Sequence, residues 1–215
     1  MSVRLSKTSK LDGILSWSLQ ALDTCPGSVS HKNELVAACQ GCYATTGNYV
    51  FDNVKAPREF NRTDWQRDGW EFDMVIALIN EDYFRWLDSG DLYSLDLAWK
   101  VYQVMEATPW VDHWLPTRMY KFPKYAEVFA AMRALPNVSV RFSSDSVAGE
   151  FTPALHGSTI ISHKSEAPEG VQVCEAYEHE GKCSGCRACW DPTIPVIAYV
   201  AHGKKMGKVI RLRAL

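Results

Sequence analysis

The sequence predicts an α/β protein: a partial or distorted parallel β/α barrel with a cysteine-rich C-terminal segment. Three observations predict it. Apolar stretches of strand length alternate with stretches whose apolar residues recur every three or four positions. Strand, helix, strand, helix, strand implies a parallel sheet with right-handed crossovers. The later strand-like stretches have few helices between them, and they can close one side.

The elements follow in order. "ILSWSLQAL" (Ile14 to Leu22) reads as a strand, and a loop with Cys25, Pro26 and Gly27 follows it. A helical stretch starts near Asn33 and is interrupted by the "CQGC" turn. Another helix covers Asn48 to about Glu59. Asp64 can cap the next, through "WQRDGWEFDMVIALIN". "DYFRWLD" is a strand that ends at "SGD", and Ser94 can cap the helix "LDLAWKVYQVMEA". "VDHWLPT" is a short strand, "FPKYAEVFAAMRAL" a helix and "NVSVRFSS" a strand. "GSTIISH", "GVQVCEA" and "IPVIAYVAH" are three more strands. The basic tail "HGKKMGKVIRLRAL" alternates with apolar residues and reads as a last strand with a solvated face. This divides the chain into a barrel-like domain, residues 1–170, and a C-terminal cysteine-rich segment with closing strands, residues 171–215.

With 215 residues the chain is long enough to bury a proper core. A formal net charge of -2 demands neither nucleic acid nor membrane as a partner. No apolar run approaches a membrane span, and the start lacks the apolar core of a secretory signal, so the expected compartment is the (host) cytoplasm. There the seven cysteines stay reduced, and clustered thiols point to metal or redox chemistry.

The thiols form two groups. Cys174, Cys183, Cys186 and Cys189 are spaced C-x8-C-x2-C-x2-C. A C-x2-C-x2-C run bends round a cubane so that three thiolates reach three irons, and the fourth ligand comes from elsewhere. Four thiolates complete the shell, so this centre is closed; tetrahedral zinc is the alternative. Cys25, Cys39 and Cys42 form a second group with no obvious fourth thiol. Three thiolates on a four-iron cluster leave one iron open for a substrate or cofactor. His31, inside that spacing, is a candidate fourth ligand, and the alternative to two centres is one shared site assembled from both groups.

"CQGCYATTGNY", "PREFN" and "FRWLDSGDLYS" together resemble a family of small tailed-phage proteins, gene product 88. The resemblance runs from about Cys25 to Thr117 and echoes in "RFSSDS". It implies a phage origin and an iron–sulfur site rather than a particular reaction. The same motifs look like a divergent radical S-adenosylmethionine enzyme. That superfamily places a three-cysteine loop after the first barrel strand, with C-x3-C-x2-C spacing and an aromatic before the last cysteine. Here the first spacing is thirteen, and Tyr43 follows the last cysteine.

The resemblance also implies a motif after the second strand that holds the methionine amino group. "DSGDL" stands there, offering Asp88 and Asp91 as carboxylates, with Ser89 and Gly90 between them. Barrel active sites gather at the carboxyl ends of strands. Thr117, Arg118, Ser143, Ser144 and Asp145 occupy such ends, and Arg118 can fork onto a carboxylate. Arg58 and Asn61 can face the same mouth. The expected catalytic residues are therefore Asp88, Asp91 and Arg118. The expected cofactor contacts are Ser89, Gly90, Asp91, Thr117, Ser143 and Asp145. The expected cofactors are one or two [4Fe-4S] clusters and S-adenosylmethionine, with a small-molecule substrate. A second reading is a non-enzymatic redox sensor or structural module that binds a host or phage protein. A third is a zinc module touching nucleic acid through Lys204, Lys205, Lys208, Arg211 and Arg213; the near-neutral charge argues against it.

Overall fold

The computed structural model describes residues 3–151 and 156–213. Eight strands form one sheet in the order β1-β2-β3-β4-β5-β6-β8-β7. They are β1 (Ser6–Lys7), β2 (Leu15–Trp17), β3 (Tyr83–Trp86), β4 (Asp112–Thr117), β5 (Val138–Ser143), β6 (Gly157–Ile161), β7 (Gln172–Cys174) and β8 (Val196–Val200). β1 runs antiparallel to β2, and every other pairing is parallel. The fold is α/β with a mostly parallel sheet, as the alternation predicts. Among the described residues the sheet is open, with β1 and β7 as its edges, so a closed barrel is not seen.

Side chains alternate across the strands and give the sheet two different faces. Phe84 and Trp86 of β3, Leu115 of β4 and Val138 and Val140 of β5 pack in one large apolar core. That core also takes residues of α3 (Trp70–Ala77), α4 (Leu95–Ala107) and α5 (Ala126–Ala134). The opposite face carries Arg85, Trp114, Ser139 and Arg141. It is covered by the C-terminal segment, whose Trp190 packs against Trp114 at 5.1 Å between ring centroids. The Trp190 indole N–H also donates to Phe84 O. A polar sheet face is thus sealed by a loop that brings cysteines with it.

Four readings of local structure are corrected. The strand expected over Ile14 to Leu22 is only three residues long, because Leu19 and Ser89 exchange hydrogen bonds that draw the chain into the next turn. The interrupted helix near Asn33 is a single short turn, α1 (Ala37–Gln40). Asp64 does not start a helix. It ends α2 (Asp52–Asp64), and α3 begins after Gly69, whose φ of 75° makes the turn. The tail is a helix, α6 (Lys204–Arg213), rather than a strand. Met206 and Val209 bury one side of it against Ala37 and Ala38 of α1. Lys204, Lys205, Lys208 and Arg211 are exposed; the Arg213 side chain and residues 214–215 lie outside the described residues. No helix among the described residues is long and apolar enough to cross a membrane.

Candidate functional site

The carboxyl ends of β2, β3, β4 and β5 surround a cavity of about 380 Å³. Six of the seven cysteines line it: Cys25, Cys39 and Cys42 from the loop after β2, and Cys174, Cys183 and Cys189 from the C-terminal segment. Cys186 is exposed, and none of the seven is in a disulfide. Thiol groups more than a hundred residues apart therefore share one space. His31 is exposed and is not part of the lining.

The loop after β2 is held by close backbone contacts. A side chain at Gly27 would put its Cβ 2.7 Å from the Arg118 carbonyl oxygen. One at Gly41 would meet the Met206 Cα at 2.8 Å, so α6 rests directly on the "CQGC" turn. The Ala38 N–H donates to Asp145 O, and Lys121 Nζ donates to Gly27 O. Burial pushes the Cys25 thiol up to about 12, and Asp91 adds to it. Burial also raises the Cys39 thiol, against the pull of Arg118.

The "DSGDL" turn packs against the same loop. Gly90 has φ +80°, and a Cβ there would lie 2.5 Å from Leu19 Cβ, so only glycine fits. Ser89 Oγ donates to Leu19 O. The Asp91 carboxylate accepts from Thr117 Oγ1 at 2.6 Å, from the Arg118 N–H at 2.9 Å and from the Leu92 N–H at 2.8 Å. It ties the end of β3 to the end of β4. Burial still raises its pKa, with these hydrogen bonds opposing.

Asp88 is the centre of a buried charge network. Arg85 Nη1 lies 3.0 Å from Oδ1, and Arg58 Nη2 lies 3.6 Å from Oδ2. The Tyr49 hydroxyl donates to Oδ2 and the Tyr43 hydroxyl to the Asp88 carbonyl, each at 2.5 Å. The Tyr43 ring is partly exposed while its hydroxyl is enclosed. Burial, reinforced by Asp88, pushes that hydroxyl up to about 12. Asn61 turns instead to the carbonyls of Arg4 and Ser18, away from the mouth.

The remaining predicted residues sit at the far rim. Arg118 Nη2 donates to Ser144 O, and its Nε lies 3.4 Å from Asp145 Oδ1. Lys121 forms an ion pair with Asp145. Ser143 O accepts from the Tyr120 hydroxyl. All of Asp88, Ser89, Gly90, Asp91, Thr117, Arg118 and Ser143 line the cavity; Asp145 supports it from behind.

The C-terminal thiols are held by residues that the sequence reading missed. Arg141, fully buried, donates to the carbonyls of Ala188, Cys189, Asp191 and Ile194. Cys189 Sγ and the Tyr199 hydroxyl are 3.2 Å apart. The Cys183 N–H donates to Lys10 O, and Asp12 accepts from the Gly185 N–H and from Arg187. Burial pushes the Cys189 thiol up to about 11, against the Tyr199 hydrogen bond and Arg141. Lone arginines inside the apolar strands "DYFRWLD" and "NVSVRFSS" were the available signal. A charge in a buried strand needs partners.

The sequence profile of Gene product 88 matches residues 2–192. The chain belongs to this family. The match takes in both thiol groups and the "DSGDL" turn. Comparison with curated proteins and with solved structures returned no match. Among the described residues no three His, Cys, Asp or Glu side chains converge closely enough to hold a single metal ion.

Proposed function

We propose that this phage protein is an iron–sulfur protein of radical S-adenosylmethionine type. Cys25, Cys39 and Cys42 would hold an open-site [4Fe-4S] cluster. Cys174, Cys183, Cys186 and Cys189 would hold a second, closed centre. The single observation that carries the reading is the shared cavity: three thiols beside the "DSGDL" turn, at the carboxyl ends of parallel strands. The donor set fits, being all sulfur, unpaired in disulfides and grouped three and four. The sequential run of strands from β2 to β6, all parallel, also suits a partial barrel.

When bound, the open cluster supplies one electron for reductive cleavage of a sulfonium, and the cofactors carry that chemistry. The chain's own residues bind and orient. Asp91 holds the turn to the end of β4; its Oδ2 accepts one N–H and keeps acceptor capacity for a ligand ammonium. Arg118 makes one side-chain hydrogen bond and has donors left for a ligand carboxylate. The apolar part of the lining, with Leu87 and Trp114, excludes water. Zinc at the C-terminal group is the alternative assignment.

Adding S-adenosylmethionine to the anaerobic, reduced protein should perturb the paramagnetic resonance spectrum of the cluster. Asp91→Asn should weaken that response by about 1–3 kcal/mol of binding while iron content stays the same. An unchanged spectrum at saturating S-adenosylmethionine would overturn the enzyme reading. The second reading, a non-enzymatic redox or partner-binding module, draws on one observation: the Asp88 carboxylate is already occupied by Arg85, Arg58 and Tyr49.

A further inference from the structure

Arg141 is a buried cation without a carboxylate partner. Among the described residues no Asp or Glu lies within ion-pair distance of it, and its hydrogen bonds go to four carbonyl oxygens. The nearby Asp191 carboxylate is turned to its own loop, where it accepts from the N–H and the hydroxyl of Thr193. A dry, uncompensated charge costs several kcal/mol, on the order of the penalty for any buried ion. Four carbonyl dipoles offset part of that cost, and a negative group bound by the same loop would offset more. The loop that Arg141 clamps holds Cys186 and Cys189, and the hydroxyl of Tyr199 meets the Cys189 sulfur from the next strand.

We infer that Arg141 and Tyr199 are positioning residues for the C-terminal metal centre, which they stabilise in its more reduced, more negative state. This rests on the iron–sulfur reading above. Four thiolates on a cluster would give a net negative group, and Arg141, bonded to the carbonyls of the loop that carries Cys189, would supply an opposite charge to that loop. Tyr199 has its hydroxyl within reach of one sulfur, and a hydroxyl that donates to a thiolate withdraws negative charge from the metal. Both effects favour electron uptake and so raise the reduction potential. Cys189 is the sulfur that both residues address: Arg141 through its carbonyl, Tyr199 at its Sγ. The four bonds of Arg141 also fix the loop that sets the cysteine spacing. A guanidinium offers donors in a rigid fork, whereas an ammonium is a point charge. Charge and geometry can therefore be separated by substitution.

The experiment is a midpoint-potential titration of the anaerobically purified full chain. The signal of the C-terminal centre is identified as the one lost in Cys186→Ala, an exposed position. Tyr199→Phe removes only the hydroxyl and should keep iron and sulfide content while shifting that signal to lower potential. Arg141→Met should shift it further in the same direction, or lose it through loop collapse. Arg141→Lys should lose iron occupancy more than it shifts the potential of the centres that remain. An unchanged potential in Tyr199→Phe and Arg141→Lys, with iron retained, overturns the inference. So does a shift to higher potential. Wild-type protein that binds no iron is a different result: it sinks the iron–sulfur reading itself, and this inference with it.

Discussion

His113 shows how completely a single side chain can be specified by its neighbours. It is buried in β4, where Nδ1 accepts from the Trp86 indole N–H at 3.2 Å. Thr108 gives its own proton to Val104 O, so its hydroxyl oxygen accepts from His113 Nε2–H at 2.8 Å. The neutral Nε2 tautomer satisfies all three groups. Burial pushes the His113 pKa down to about 3. The sign follows directly. The unfolded chain takes up a proton near pH 6.5 that the folded one refuses, so stability falls as pH drops from 6.5 toward 3. Between pH 7 and pH 4.5 this one residue should cost about 3 kcal/mol. Urea unfolding across that range should show the slope, and His113→Gln should flatten it whatever it does to absolute stability. Equal slopes in both proteins would remove His113 as the cause. The sequence reading placed His113 within a strand. Its polar partners were not legible, because Trp86 and Thr108 meet it only once three elements are packed.

At the scale of elements, strands were more legible than helix ends. "NVSVRFSS" and "IPVIAYVAH" carry β-branched residues on a two-residue period, and both fold as strands. The tail was misread because "KVIRLR" also alternates. Met206, Val209 and Ile210 recur at three and four, and that period prevails once α1 offers an apolar patch. The cysteine-rich segment has little regular structure of its own, so its placement depends on anchors. Trp190, 3% exposed, is the largest of these, edge-on to both Trp114 and Tyr83. Trp190→Ala should destabilise the protein by about 3–5 kcal/mol, as expected for emptying a large aromatic site. Denaturant midpoints measure this. A cost under about 1 kcal/mol would mean that the segment is not docked on the sheet through this residue.

For the whole molecule, the consequence of the fold is the meeting of two distant thiol groups around one cavity. Their spacings were legible in the sequence, and so was the strand-end position of "DSGDL". Their convergence was not, because it depends on the order β6-β8-β7, which carries the C-terminal segment back across the polar face of the sheet. Arg85, Arg141 and Tyr199 were missed for the same reason: each acts from a strand onto a loop far away in sequence. The central claim is that the two groups hold two separate iron–sulfur centres. Iron and acid-labile sulfide, counted per chain after anaerobic purification, test it most directly in wild type, Cys42→Ala and Cys186→Ala. The account predicts iron and sulfide in equal amounts in the wild type, with each variant losing one centre and keeping the other. A colourless protein loaded with zinc, or either substitution emptying both groups at once, would contradict it.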